Sequence, residues 1–154
     1  MSLESDIELL GRVPLLAELS ADNLRLLAFS AVRRDLTAGE TLFRRGEPAR
    51  SGFVVSYGVV ELSLGEGEDR HVIEKCHRGY LIGQMPLFVE GQRPNDAQAL
   101  NPSTLLEISR PMMTRMLTEY PAAAKALHAR LSQTLAGTID ELRRVRETLL
   151  AINS

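Results

Sequence analysis

The groups in this 154-residue chain that could do chemistry are three histidines, one cysteine and a loop running from a glycine to an arginine. A metal site needs clustered ligands. His71, His77 and His128 form no His-x-His pair and have no downstream carboxylate at ligand spacing. His71 and His77 lie six apart on or beside one strand-like run, so a two-histidine site is the one arrangement open to them. Surface histidines are the simpler account, and no metal is expected. Cys76 ends the apolar run HVIEKC with no motif around it, which fits a buried structural thiol better than a nucleophile. A lone cysteine also excludes an intrachain disulfide and fits a reducing compartment. The chain has no G-x-S-x-G, P-loop or G-x-G-x-x-G. No catalytic residues are assigned, and the sequence does not call for an enzyme.

The segment 78–99, RGYLIGQMPLFVEGQRPNDAQA, reads differently. Gly83 lets the backbone turn tightly at a strand end. QMPLF then reads as a short helix whose first N–H groups are free, and Arg93 adds a planar cationic fork before the next strand. Together these outline a cradle for a small anion. The competing reading is a connecting loop with a surface arginine.

Three textures position this segment. Residues 1–30 read as two short helices: Ile7 and Leu10, then Leu24, Leu27 and Ala28, recur at helical spacing, with Gly11 and Pro14 between and Ser20 as an N-cap. From 31 to 109 come strand-length runs: AVRRDL, TLFRR, GFVVSY, VVELSL, HVIEKC, AQAL and TLLEIS. They are punctuated at Gly39, Gly46, Gly58, Gly65, Gly79 and Asn101-Pro102. This spacing predicts a β-sandwich or small barrel rather than βαβ units. Ser109 then caps a helix with Pro111 in its first turn, and Pro121 opens a last helix that reaches to about residue 152, about 48 Å at 1.5 Å per residue.

Leu131, Leu135, Thr138, Leu142, Val145, Leu149 and Ile152 alternate four and three apart along that last helix, a heptad seam. A parallel coiled-coil homodimer is the preferred reading and a helix folded back on its own core the alternative. Hydrophobic residues at 44% and charged residues at 25% are ordinary globular usage. Eighteen Lys and Arg against twenty Asp and Glu give net charge −2, so there is no basic excess to neutralise a phosphate backbone. Arg143, Arg144 and Arg146 are interleaved with Glu141 and Glu147, as on a solvated helix face. The chain alone is expected to bind no nucleic acid. With no apolar run near 18 residues and no signal pattern at the N-terminus, no membrane contact and a cytoplasmic location are expected.

The segment 78–99 resembles the phosphate-binding cassette of the cyclic nucleotide-binding domain family, Gly-Glu-x-Ala/Gly-Leu, a spacer, then Arg-Ser/Thr/Ala-Ala. The likeness extends over roughly residues 10–150, through VPLLAELSADNLRLLA, GETLFRRGE (39–47), GFVVSYGVVELSL (52–64) and the last helix. Within the family it is nearest to the sensor half of the catabolite-activator group. The resemblance implies an α+β fold: a β-roll or jelly roll (a double-stranded β-helix) flanked by N-terminal helices and a long C-terminal dimerisation helix. On that basis residues 1–120 form the ligand-binding-like domain, with short helices over 1–30, the roll over 31–109 and a helix over 110–119. Residues 121–154 form the long helix, and the chain ends where that group continues into a helix-turn-helix domain.

The resemblance also implies a ligand site at Gly83, Gln84, Met85, Pro86, Arg93, Pro94 and Asn95, with Thr138 reaching the ligand from the seam. Arg93 matches the arginine that pairs with the cyclic phosphate. Gln84 stands where the family has the glutamate that accepts the ribose hydroxyl. Pro86 and Pro94 stand where backbone N–H groups hold the phosphate, and proline has none. Asp96 is expected to place a negative charge near the phosphate. A hydrogen bond to a charged group contributes about 1.5–3 kcal/mol. Two losses therefore lower affinity by roughly a hundred- to ten-thousand-fold. The expectation is a small-ligand-sensing regulatory domain that acts on a protein effector, with no cofactor and a degenerate cassette that disfavours tight binding of cAMP or cGMP, the cyclic nucleotides the resemblance implies as ligands. The alternative is a member without ligand that serves dimerisation or protein interaction.

Overall fold

The structure, a computed structural model, describes residues 2–132. The expected seam residues Leu135, Thr138, Leu142, Val145, Leu149 and Ile152 lie outside the described residues.

The N-terminal helices form where caps start them and turn residues stop them. Helix α1 (Leu3–Gly11) begins with a reciprocal box between Ser2 and Ser5, and Glu4 and Asp6 complement its first turn. A 3₁₀ turn, Pro14–Leu16, follows. In α2 (Ala21–Ser30) the Ser20 hydroxyl accepts from the Asn23 N–H at 3.1 Å, as its N-cap position predicts.

Ten strands follow: β1 (Val32–Leu36), β2 (Thr41–Phe43), β3 (Pro48–Ala49), β4 (Ser51–Tyr57), β5 (Val60–Leu64), β6 (His71–Cys76), β7 (Leu81–Ile82), β8 (Gly91–Gln92), β9 (Asp96–Ala99) and β10 (Ser103–Ser109). They pair antiparallel into two four-stranded sheets, β1-β10-β4-β7 and β2-β9-β5-β6, and a two-stranded ribbon, β3-β8. This is the expected α+β β-roll. The β4–β5 connection turns at Gly58, whose φ of 87° and contact with Ser103 and the Pro102 carbonyl leave no room for a Cβ.

Strand alternation divides the apolar side chains into two cores. Phe53, Val55 and Leu105 face into the roll, where they meet Phe43, Val60, Leu62, Ile82, Ala97 and Cys76. Val54, Leu106 and Ile108 face the opposite way and are covered by the helices. The Cys76 thiol is fully buried, and burial together with the nearby Glu74 carboxylate pushes its pKa up to about 12. It is the inert thiol the sequence suggested.

Helix α3 (Arg110–Glu119) is capped by Ser109, whose hydroxyl accepts from the Met112 N–H, and buries Met113 and Met116 in the helical core. A fourth helix, α4, is described over 121–132. Its Ala123 and Leu127 are buried in the same core, and Leu131, expected on the dimer seam, packs partly against it. The first turns of the last helix thus complete this domain's own interior. Among the described residues no helix is long and apolar enough to cross a membrane.

Candidate functional site

A cavity of about 330 Å³ opens between the roll and the loop that joins β7 to β9. Of the predicted ligand residues, Gly83, Gln84, Met85, Pro86, Arg93, Pro94 and Asn95 all line it. Thr138 lies outside the described residues.

Arg93 is the centre of the site. It follows β8, where its backbone N–H donates to the Glu47 carbonyl at 2.8 Å and its carbonyl accepts from the Gly46 N–H at 2.9 Å. Its side chain is only 5% exposed. The guanidinium carbon lies 4.4 Å from the Phe43 ring centroid and 5.3 Å from that of Phe53, so the cation is stacked against two aromatic faces. Nη2 donates to the Ser51 hydroxyl at 3.5 Å; Ser51 in turn donates to Glu107 at 2.7 Å, and Glu107 accepts from Arg34 at 3.2 Å. Nη1 is buried and has no hydrogen-bond partner. Burial pulls the guanidinium below its ordinary pKa, opposed by the Glu107 and Glu47 carboxylates, yet arginine keeps its proton in proteins. The outcome is a fixed buried charge with one uncommitted donor nitrogen.

Gly83 makes room for that nitrogen. Its φ is 83°, and a Cβ there would lie 2.8 Å from Arg93 Nη1 and 3.3 Å from the Ser51 carbonyl. Any side chain at 83 would therefore press on the arginine from a backbone conformation that favours glycine.

The short helix expected over QMPLF is a single 3₁₀ turn, Met85–Leu87, with Pro86 inside it. The Leu87 N–H bonds to the Gln84 carbonyl at 3.3 Å, and the Phe88 and Val89 N–H groups bond to Met85. Turn closure thus engages the N–H groups of Leu87, Phe88 and Val89, and Pro86 contributes none. Leu87 is fully buried in the helical core and pins the turn down. Arg110, at the start of α3, holds it from behind: one Nη1 donates to the carbonyls of Pro86 (3.2 Å), Val89 (2.8 Å) and Ala49 (3.1 Å).

Asp96 does not stand where the sequence placed it. Strand alternation turns Ala97 and Ala99 into the roll, so Asp96 is absent from the cavity wall. Its carboxylate accepts instead from the Arg45 N–H at 2.8 Å. Asn95 is buried, and its side-chain nitrogen donates to the Asp96 carbonyl at 2.9 Å. His71 and His77 are both exposed, and among the described residues no group of three or more His, Cys, Asp or Glu could hold a metal ion.

Sequence reasoning missed Ser51, Glu107, Phe43, Phe53 and Arg110. Each acts through a contact set by sheet register or by backbone carbonyls, and none belongs to a local pattern.

The cyclic nucleotide-binding domain model matches residues 33–120, more than half of the chain. The chain belongs to the cyclic nucleotide-binding domain family. It is similar to the N-terminal domain of a transcriptional regulator from Streptomyces coelicolor, 29% identical at a TM-score of 0.82, which covers 87% of this chain and 94% of that one. A cyclic nucleotide-binding-like protein from Brucella abortus is 34% identical at a TM-score of 0.68, covering 73% and 97%. Among curated proteins, the HTH-type transcriptional regulator Cmr of Mycobacterium tuberculosis is 27% identical over 120 residues, 78% of this chain and 49% of that protein. The chain therefore spans about half the length of that curated relative. Two of these three neighbours are transcriptional regulators or parts of one.

Proposed function

We propose that this domain is a ligand sensor without catalytic activity, in which a small anion docks on Arg93 and biases a dimeric C-terminal helix read by a protein effector. The observation that supports this most is the buried Nη1 of Arg93, unpartnered in the cavity wall. A buried donor left unsatisfied costs about 1–3 kcal/mol, more for a charged group, and an anion in the cavity recovers it. The link onward is mechanical. The loop carrying the site is tied by Leu87 to the helical core and by Arg110 to the start of α3. A ligand that shifts this loop acts on α3 and α4, and a homodimer through Leu131, Leu135, Thr138, Leu142, Val145, Leu149 and Ile152 is the output we propose. The mild net charge and the soluble-type composition support a cytoplasmic module that binds no nucleic acid by itself.

Pro86 and Pro94, both on the cavity wall, favour a second reading in which ligand binding is lost and the domain serves interaction alone. Thermal melts decide between the two. Wild type and Arg93→Gln are compared in a panel of nucleotides, sugar phosphates and carboxylates at 10 mM. A ligand at 100 times its Kd adds about 2.7 kcal/mol, a rise in Tm of about 5–10 °C for a domain of this size. The sensor reading predicts at least one saturable rise that Arg93→Gln abolishes. No Arg93-dependent rise from any member establishes the second reading.

A further inference from the structure

Given Arg93 as the anion receptor, on which this step rests, we infer that the cavity takes an amphiphilic monocarboxylate, a carboxylate head on an aryl or medium-chain apolar body, in preference to a cyclic nucleotide. The donors available on the wall select the head. Among the described residues, Arg93 Nη1 is the one buried side-chain donor in the cavity without a partner, because Asn95 has spent a donor on Asp96 and Nη2 is turned to Ser51. Pro86 and Pro94 contribute no N–H to the same wall. A carboxylate has two oxygens and no further polar atoms, so the two hydrogens of Nη1 and the neutral Gln84 amide on the same wall match it. A cyclic nucleotide brings the same single charge spread over two phosphate oxygens, and adds a ribose hydroxyl and a polar base edge. Each must find a partner when buried.

The apolar wall selects the body. Phe43, which carries the guanidinium on its ring, lines the cavity together with Leu62 and Ile82, and the lining Met85 and Val89 are both about half exposed. An acyl or aryl body covers these side chains, and the exposed Met85 and Val89 give the bound state apolar surface to bury. The remaining charge in the wall limits the ligand to one negative charge. Glu90 lines the same cavity, so a second anionic group would face a carboxylate. At about 330 Å³ the cavity lies at the small end of the ~300–1,000 Å³ range of small-molecule sites, which suits such a body.

Isothermal titration with sodium octanoate, sodium phenylacetate, cAMP and inorganic phosphate tests this. At least one of the two carboxylates is expected to bind at least about tenfold more tightly than cAMP, and phosphate not at all. Arg93→Gln and, independently, Gly83→Ala should each weaken the carboxylate by about tenfold or more, the second by driving a Cβ against Nη1. Circular dichroism confirms that each variant is folded; if Arg93→Gln is not, Gly83→Ala carries the test. Returning N–H groups to the wall with Pro86→Ala/Pro94→Ser should raise cAMP affinity by about tenfold or more and leave the carboxylate unchanged. If cAMP binds wild type more tightly than both carboxylates and loses binding in Arg93→Gln, the ligand class is wrong and Arg93 remains an anion receptor. If neither carboxylate binds, the ligand class is likewise overturned. If a carboxylate binds equally well to wild type, Arg93→Gln and Gly83→Ala, the role of Arg93 fails with it.

Discussion

The two cores of this domain share β4 and β10 but are built to different ends. On one face, Val54, Leu106 and Ile108 meet Leu9, Leu10, Leu16, Leu27, Met113 and Met116 in a closed apolar layer. On the other, the same strands offer Phe53, Val55 and Leu105 to a roll that also buries the Arg93 guanidinium and opens to a cavity. A pleated strand sends alternate side chains to opposite faces, so one segment such as FVV serves both. The helical face stabilises; the roll face gives up part of that stabilisation to bury a charge with an unpartnered donor. Leu87 and Arg110 join the two, because both fix the site-bearing loop to the helical side.

The sharpest way to separate the faces is to damage the helical one alone. Leu27 is fully buried among apolar neighbours, and Leu27→Ala should cost about 2–5 kcal/mol in urea unfolding. The ligand Kd should be unchanged at temperatures where the variant is folded. A changed Kd would mean that the two faces are not separable. Arg110→Ala tests the joint between them. Removing a cation that bonds three carbonyls should cost about 1.5–3 kcal/mol and raise amide exchange over residues 85–90 more than elsewhere. Uniform exchange across the domain would show that Arg110 stabilises without positioning the loop.

Cys76 probes how dry the roll is away from its cavity. Its folded pKa is raised to about 12 against an ordinary value of 9.0. A raised pKa means that the stabilisation of the neutral thiol is complete below pH 9 and is lost as pH climbs through the window from 9 to about 12. The unfolding free energy should fall there by an extra 1.4 kcal/mol or so per pH unit, and Cys76→Val should remove this component. An identical alkaline slope in the valine variant would contradict a dry interior. The smallest effect is expected at the surface. Arg12 and Glu8 form an exposed pair at 2.6 Å one helical turn apart, and Glu8→Ala should change stability by no more than about 0.5 kcal/mol.

What could be read in advance follows the range of the signal. Ser20 and Ser109 were legible as caps because capping acts over three residues. Gly83 and Arg93 were legible because a positive φ favours glycine and a glycine-to-arginine spacing carries a recognisable pattern of residue types. Strands β3, β7 and β8 were not, since two residues carry no periodicity. Ser51 and Glu107 lie 56 residues apart and meet only through the β4–β10 register. Arg110 was invisible because its partners are main-chain carbonyls, which have no residue type. Asp96 was misplaced for a related reason: its spacing from Arg93 was right, but the phase of β9 turns it away from the cavity.

The central claim is that Arg93 receives the ligand's negative charge. Side-chain ¹⁵N spectra of arginine-labelled protein observe that group directly, with its Nε–H resonance identified by its loss in Arg93→Lys. Titration with octanoate, with phenylacetate and separately with cAMP should move this resonance saturably, with the tighter midpoint for at least one of the two carboxylates. A ligand that raises Tm saturably while the Arg93 resonance stays fixed would contradict the claim.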